Sequence, residues 1–138
     1  MISVQTIINA PIAKVWELWT LPKHIVKWNY PSEDWQTTDA ENDLKINGKF
    51  KYSMQTKDKS AGFDFEGIYT DVKAFSLIEY KLFDNRTGTI RFEENNDAVK
   101  LTEIFEPNVE DSEDMQRGWC QAVIDHFKTY AETNQNYY

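Results

Sequence analysis

The sequence predicts an α+β fold in which a curved antiparallel sheet of six to seven strands wraps around one long C-terminal helix. Two observations lead to this prediction. From residue 35 to residue 107, apolar side chains recur mostly at every second position, as in strands joined by short turns. From residue 111 to residue 131 they recur every three or four positions, as in an amphipathic helix. Each element has one apolar face to bury, so we expect a single domain over residues 1–138.

The first part of the chain predicts one strand followed by two short helices. Residues 2–8 alternate well enough for a strand. Pro11 suits the first turn of a helix, because its missing N–H costs nothing there, and apolar residues follow at helical spacing. Pro22 breaks this helix and opens a second one, in which His24 and Trp28 share a face.

The middle of the chain predicts an antiparallel meander, with turns expected at residues 47–48, 57–62, 84–86 and 94–97. Alternation assigns the side chains of each strand to a common face. The residues that share faces are Phe50, Tyr52 and Met54; Phe63, Phe65, Gly67 and Tyr69; Ile78, Tyr80 and Leu82; Ile90 and Phe92; and Val99, Leu101, Glu103 and Phe105.

The C-terminal helix is expected to begin near Asp111 and to present an apolar stripe that includes Trp119 and Phe127. Gly118 is unusual in a helix interior, where glycine costs about 1 kcal/mol relative to alanine. We therefore expect another backbone or a large side chain to approach Gly118 closely. On this interpretation, Gly118→Leu destabilises the protein by much more than helix propensity accounts for.

Composition excludes several classes of function. The net charge of −8 and the pI near 4.7 argue against nucleic acid and anionic membrane surfaces as binding partners, because a protein that binds either of them needs a positively charged surface. The single cysteine, Cys120, cannot form an internal disulfide. The first residues lack the features of a signal peptide, and no apolar run has transmembrane length. These observations predict a cytoplasmic protein without membrane insertion.

Several segments, in this order and spacing, resemble one branch of a known superfamily. They are Asn9-Ala10-Pro11 with Val15-Trp16, Thr20–Ile25 with Trp28, Gly48-Lys49-Phe50, Phe63–Tyr69, and Gln116–Trp119 with Phe127. The chain resembles the helix-grip fold of the START-like superfamily, also called SRPBCC or birch-pollen-allergen-like. Within it, the branch is related to the activator of the heat-shock-protein-ninety ATPase. Proteins of this fold have diverse functions, so the resemblance does not name a ligand.

The resemblance implies a cavity between the curved sheet and the long helix, lined by inward strand residues and the helix stripe. The alternative is that these residues pack on each other as an ordinary core. The candidate ligand-binding residues are Trp28, Trp35, Phe50, Tyr52, Met54, Phe65, Tyr69, Tyr80, Phe92, Glu103, Gln116, Trp119, Val123 and Phe127.

Polar groups on the apolar faces would orient a ligand. Such groups are Glu103, Gln116, His126 and His24. The hydroxyls of Tyr52, Tyr69 and Tyr80 are at least as good candidates for orienting a ligand. Other interpretations remain: Glu103 pairs with Arg91 on a neighbouring strand, Gln116 caps the helix, and His24 and His126 are half-exposed side chains.

No catalytic residues, metal ligands or cofactor can be assigned. The histidines and the cysteine have no metal-site or nucleophile spacing, and the glycines form no phosphate-binding loop. An enzyme would therefore need acid–base chemistry by Glu103, His126 or a tyrosine.

The favoured function is binding of a small hydrophobic ligand, lipid-like or planar aromatic of the polyketide type, as a carrier or sensor, with a stress-related role left open. One alternative is a chaperone-interacting module. However, the chaperone activators carry a separate N-terminal domain, whereas this chain begins directly at the first strand of the fold. The other alternative is a cyclase- or hydrolase-like enzyme that uses the same cavity.

Overall fold

A computed structural model describes residues 1–133, which form seven strands and three helices. In chain order these are β1 (Ile2–Ile8), α1 (Ile12–Thr20), α2 (Pro22–Trp28), β2 (Trp35–Asn42), β3 (Lys49–Thr56), β4 (Gly62–Lys73), β5 (Leu77–Leu82), β6 (Thr87–Asn95), β7 (Ala98–Phe105) and α3 (Glu113–Thr133). The predicted order of one strand, two short helices, a meander and a long helix is confirmed.

All seven strands belong to one antiparallel sheet with the order β1-β7-β6-β5-β4-β3-β2. Strands β2 to β7 pair with one another in chain order as successive hairpins. The last of them, β7, pairs on its other side with β1, which forms one edge of the sheet. The register shifts between Thr37 and Asp39 in β2, and again between Tyr69 and Asp71 in β4. Such bulges increase local twist and bend a strand, so they help curl the sheet into the half-barrel around α3.

Three of the tight turns depend on asparagine. Asn47, Asn85 and Asn96 have φ values of 69°, 73° and 59°, in the left-handed region that most residues avoid. Asparagine tolerates this region because its short polar side chain can bond locally. These positions lie in or beside the turns expected from the sequence.

Helix α3 begins at Glu113, two residues later than the sequence suggested. Ser112 caps it, because its Oγ accepts a hydrogen bond from the Met115 N–H at 3.1 Å. In the C-terminal half of the helix, Val123, Ile124, Phe127 and Ala131 are buried, whereas the N-terminal half is more exposed. The helix therefore packs firmly at one end and only partly covers the sheet at the other.

Polar side chains of α3 tie this firm end to β1. Gln121 Nε2 donates to the Gln5 carbonyl oxygen at 3.1 Å, and Lys128 Nζ donates to the Ile7 carbonyl oxygen at 2.6 Å. Farther along, Glu132 Oε2 accepts hydrogen bonds from Lys128 Nζ at 2.6 Å and from the Asn9 N–H at 2.9 Å. The C-terminal helix is thus fixed along the first strand.

The helices α1 and α2 close one end of the sheet with an aromatic core. The Trp19 ring stacks on Trp28 with a centroid distance of 4.5 Å, and both meet Phe127 edge-on at 4.8 and 4.9 Å. Phe92 meets the Trp16 ring at 5.1 Å and the Trp19 ring at 6.1 Å. Trp28 Nε1 also donates to the Leu18 carbonyl oxygen at 2.9 Å, so its polar atom is satisfied inside the core.

The expectation of close packing at Gly118 is wrong. Among residues 1–133, a Cβ built on Gly118 meets no other atom within 4 Å, apart from its chain neighbours and the helix's own backbone. The residue is exposed, on the part of α3 that stands away from the sheet. The helical period places Gly118 beside the stripe, but does not say whether another element covers that side.

Within residues 1–133, no helix is both long enough and apolar enough to cross a lipid bilayer.

Candidate functional site

A cavity of about 490 Å³ lies between the concave face of the sheet and the N-terminal half of α3. Its size is typical of small-molecule sites. Twelve of the fourteen residues selected from the sequence line it: Trp28, Trp35, Phe50, Tyr52, Met54, Phe65, Tyr69, Tyr80, Glu103, Gln116, Trp119 and Val123. The alternative of a solid core therefore does not describe this end of the fold.

Phe92 and Phe127 do not line the cavity, which corrects the lining expected from the sequence. Both are buried, at 3% and 0% exposure, in the aromatic core beneath α1 and α2. They lie on the predicted faces, but at the end of the sheet that the short helices fill.

The deep wall of the cavity is a cluster of rings around Phe50. The Phe50 centroid lies 5.7 Å from Tyr52, 5.6 Å from Phe65, 5.0 Å from Tyr69 and 5.8 Å from Tyr80. These side chains come from the adjacent strands β3, β4 and β5, where antiparallel pairing brings residues of one face together. The wall can therefore contact an apolar or aromatic ligand over a wide area.

Three further rings border the cavity where α3 stands away from the sheet. Trp119 of α3 lies 5.0 Å from Trp35 and 5.9 Å from Phe63, and the last two are 5.8 Å apart. Phe63 remains 43% exposed. Because β2, β4 and α3 each supply one ring, their contact depends on the position of the helix.

The central polar group of the cavity is the Glu103 carboxylate on β7. Its Oε2 accepts a hydrogen bond from the Tyr80 hydroxyl at 2.7 Å, and its Oε1 lies 3.6 Å from Cys120 Sγ. The alternative interpretation, in which Glu103 pairs with Arg91, is wrong. Glu103 is opposite Ile90 in the sheet, whereas Arg91 is opposite Thr102 and therefore points to the other face.

The environment of Glu103 shifts the pKa of its carboxyl group and of the neighbouring Cys120 thiol. Burial raises the pKa of Glu103, and hydrogen bonds from Tyr80 and Cys120 oppose the rise in part. Burial also raises the pKa of the Cys120 thiol, and the charge of Glu103 adds to the rise. A thiol with a raised pKa is a poor nucleophile, so Cys120 is suited to donate a hydrogen bond rather than to attack a substrate.

Gly88 permits the contact between the Tyr80 hydroxyl and Glu103. It is the cross-strand partner of Tyr80, and a Cβ on Gly88 would overlap the Tyr80 ring and hydroxyl. The absence of a side chain lets the ring lie across the β6 backbone, with its hydroxyl at Glu103. Local sequence does not single out Gly88, because the ring that approaches it comes from a neighbouring strand.

A second polar chain runs along the cavity wall. The Tyr69 hydroxyl donates to Asn42 Oδ1, and Asn42 Nδ2 donates to the Thr20 carbonyl oxygen at 2.7 Å. Tyr52 shares a side-chain hydrogen bond with Tyr69, and burial raises the pKa of both phenols. The Tyr69 hydroxyl therefore already donates its hydrogen bond within the protein.

The rim of the cavity is polar and partly organised by Gln116. The Gln116 Oε1 accepts the Asn108 N–H at 2.9 Å, while Nε2 donates to the Asp111 carbonyl oxygen at 2.9 Å. Gln116 thus holds the loop before α3 and also lines the cavity, whereas the helix cap itself is Ser112. Beside it, Glu106 Oε1 accepts the Thr87 hydroxyl at 2.6 Å.

The two histidines lie outside the cavity lining. His24 is buried, at 3% exposure, and its Nδ1 is 2.7 Å from the Tyr130 hydroxyl, so the half-exposed interpretation is wrong for this residue. His126 is half-buried, stacks on Tyr30 with centroids 4.3 Å apart, and places Nδ1 2.6 Å from the Tyr30 carbonyl oxygen. Neither histidine is placed to act on a ligand in the cavity.

Fourteen residues that line the cavity were not predicted from the sequence. Strand alternation could have added those that share faces with selected residues, namely Phe63, Ile78, Leu82, Ile90 and Phe105. The helix pattern could have added Met115 and Cys120. The others, Trp19, Asn29, Arg86, Thr87, Glu106, Asn108 and Asp111, depend on how the first helices and the rim loops fold back. Among residues 1–133, no group of three or more histidine, cysteine or acidic side chains is placed to hold a metal ion.

Comparison with protein families gives one match over most of the chain. The model described as "Activator of Hsp90 ATPase homolog 1-like protein" matches residues 9–132. No curated protein matches the chain at a significant level.

Solved structures share the whole fold. An AHSA1-like protein from Aeromonas hydrophila is 32% identical, with a TM-score of 0.86, and the match covers 96% of this chain and 93% of that one. A protein from Cytophaga hutchinsonii is 39% identical, with a TM-score of 0.83 and coverage of 99% and 95%. A Nitrosomonas europaea protein, 18% identical with a TM-score of 0.82, covers 99% and 96% and supports the fold alone.

Proposed function

Because the chain belongs to the family of activator of Hsp90 ATPase homolog 1-like proteins, within the START-like superfamily, we propose that it binds a small hydrophobic ligand as a carrier or sensor. The observation that carries this proposal is the cavity of about 490 Å³ with aromatic walls between the sheet and α3. Rings from three adjacent strands surround it, and few polar groups interrupt them. An apolar site with a few convergent polar groups is the usual arrangement for ligand binding.

The position of the cavity supports binding rather than simple loose packing. The aromatic core of Trp19, Trp28 and Phe127 closes one end of the cavity, where Trp19 and Trp28 also line it, and this core needs no ligand. The fold therefore has a stable base, and the open end can exchange its contents without loss of the core. A lipid-like chain and a planar aromatic molecule both fit such walls, since both gain from burial of apolar area.

The test is a titration of the purified protein with neutral apolar probes, with N-phenyl-1-naphthylamine as the first. We expect a rise in probe fluorescence and amide shifts at residues that line the cavity. Val123, which is 8% exposed and lines the cavity, provides a filling variant: Val123→Trp should weaken binding at least tenfold.

Ile7→Trp is the matched control, because Ile7 is 58% exposed on the outer side of β1. It adds the same side chain away from the cavity and should leave the affinity unchanged. Equal loss in both variants, or amide shifts confined to the outer face, would contradict the proposal. Native mass spectrometry of the freshly purified protein would then identify any molecule that co-purifies.

Acid–base catalysis in the same cavity is a second candidate, favoured by one observation. Glu103 has a raised pKa and faces the cavity, so it can exchange a proton with a bound molecule. Turnover of a polyketide-type or ester substrate that disappears in Glu103→Gln, with ligand binding retained, would support this candidate. Binding without turnover by the wild-type protein would support the carrier or sensor.

A further inference from the structure

The Glu103 carboxylate is the feature of the cavity that discriminates most between ligands. It lies in a lining that is mostly aromatic and aliphatic, and it is hydrogen-bonded to Tyr80 and close to Cys120, which are both neutral donors. Among residues 1–133, no lysine, arginine or histidine forms an ion pair with it. A half-buried carboxylate without a counter-charge, such as that of Glu103, is unfavourable, and it gains most from a positive group brought to it.

The hydrogen-bonding capacity of this carboxylate also limits what can bind beside it. An ionised carboxylate accepts about four hydrogen bonds and donates none. Tyr80 uses one site on Oε2, and Cys120 lies beside Oε1, so each oxygen retains capacity for a further donor. A ligand group that only accepts hydrogen bonds, such as a second carboxylate or a phosphate, would meet repulsion there.

The other charged groups around the cavity are also mostly acidic. Glu106 and Asp111 are the further carboxylates in the lining, and Arg86 is the one cationic side chain among the described lining residues. Arg86 Nε is already 2.6 Å from Asp84 Oδ2. Its charge also adds to the hydrogen bonds that lower the pKa of Glu106, and it partly offsets the rise that burial causes in the pKa of Tyr80. With a whole-chain charge of −8, the potential at the cavity favours cations and disfavours anions.

The walls beside Glu103 suit a cation as well. Tyr80 carries the hydroxyl at Glu103, and its ring lies 5.8 Å from Phe50 and 6.1 Å from Phe65. Aromatic faces attract ammonium groups, and clusters of rings are a known means of holding them. A hydrophobic ammonium ion can therefore place its charge at Glu103 and its apolar body against the rings.

We infer that the ligand is a hydrophobic amine, whose cationic head is held by Glu103 while its apolar body fills the aromatic cavity. This inference rests on the proposed ligand-binding function and narrows it to one chemical class. It disfavours fatty acids and other anionic lipids, although these fit the apolar walls as well as an amine does.

The test compares head groups on two apolar bodies, a twelve-carbon chain and a naphthylethyl group. Each body carries an amine, an alcohol or a carboxylate, and binding is measured by calorimetry at pH 7 below the micellar concentration. For at least one body, we expect the amine to bind at least tenfold more tightly than the alcohol, and the carboxylate to bind most weakly. If on neither body the amine binds at least tenfold more tightly than the alcohol, or if the carboxylate binds as tightly as the amine on both bodies, the inference is overturned and the proposed function stays intact.

A variant then assigns the preference to one side chain. In Glu103→Gln the affinity for the amine should fall at least tenfold, while the affinity for the alcohol stays within about threefold. Glu93→Gln is the control, because Glu93 is exposed on β6 and its loss changes the net charge equally. An equal loss in both variants would mean that overall charge, not Glu103, selects the amine. Failure of all six molecules to bind would contradict the proposed function and the inference together.

Discussion

The ring of Tyr80 occupies the space that a side chain on Gly88 would fill. These two residues are directly opposite each other on β5 and β6, and the ring lies over the glycine so that its hydroxyl meets Glu103 at 2.7 Å. Aromatic residues that cover a cross-strand glycine stabilise sheets by filling the gap. Here the pair also sets the position of the central polar group in the cavity.

Gly88→Ala should therefore destabilise the protein by about 1–3 kcal/mol, the usual cost of an extra methyl group in a packed site. The added Cβ displaces the Tyr80 ring and weakens its hydrogen bond to Glu103. Urea unfolding measures the change. Gly118→Ala is the matched control: its Cβ enters open space, so it should stabilise the protein by up to about 1 kcal/mol. A Gly88→Ala variant as stable as the parent would refute this role of the glycine.

Phe127→Ala should cost about 3–5 kcal/mol, because Phe127 is fully buried and its ring packs against Trp19 and Trp28. Met115→Ala removes a large side chain from the same helix where it is 66% exposed, and should change stability by less than about 0.5 kcal/mol. Thermal and urea unfolding of both variants checks the difference. Similar costs would mean that α3 is held equally along its length.

The ionisation of Glu103 should make stability fall as pH rises. Burial raises the pKa of Glu103 in the folded protein above its value in the unfolded chain. At a pH between these two pKa values the folded state binds more protons than the unfolded state. The stability that Glu103 contributes is therefore present at low pH and is lost as the pH rises through the folded pKa. The stability of Glu103→Gln relative to the parent should thus increase from about pH 4.5 upward.

Glu106 provides the opposite case for this pH experiment. Hydrogen bonds from the Thr87 hydroxyl and N–H lower the pKa of Glu106. The stability that ionised Glu106 contributes is therefore present at neutral pH and is lost as the pH falls through its folded pKa. Glu106→Gln should accordingly lose stability relative to the parent as pH rises from acid conditions. If both variants follow the same pH trend, the assignment of opposite environments is wrong.

Lys128→Met should loosen the first strand. Lys128 Nζ bonds the Ile7 carbonyl oxygen and Glu132 Oε2, each at 2.6 Å, and the side chain is 34% exposed. We expect a loss of about 1 kcal/mol, reduced for the solvent that screens this pair, with faster amide exchange in β1. Lys100→Met, on an exposed position of neighbouring β7, should change neither quantity. Unchanged exchange in β1 would show that packing alone holds the strand.

Local sequence periodicity predicted most of the fold because each element has one buried face. The alternation of Phe50, Tyr52 and Met54, and of Leu101, Glu103 and Phe105, assigned the strands and their inward side correctly. Such a pattern gives the face of a residue but not its position along the sheet. The binding role of the selected residues stays a prediction.

The errors follow from this limit. Phe92 shares the inward face with the cavity residues, but α1 fills the space in front of it. Gly118 lies on a side of α3 that none of the described elements covers, and the need for glycine at Gly88 comes from a ring on another strand. The partner of Glu103 also depends on register, which joins it to Tyr80 and separates it from Arg91. These relationships arise between elements, where local periodicity carries no information.

The hydrogen bonds from α3 to the carbonyl oxygens of Gln5 and Ile7 have a consequence for self-association. Strand β1 is an outer strand of the sheet, and its outward carbonyl groups could template the addition of a strand from another molecule. Gln121 and Lys128 occupy two of these acceptors, and the charge of Lys128 further disfavours an incoming backbone. The C-terminal helix thus protects the protein against edge-to-edge aggregation at β1.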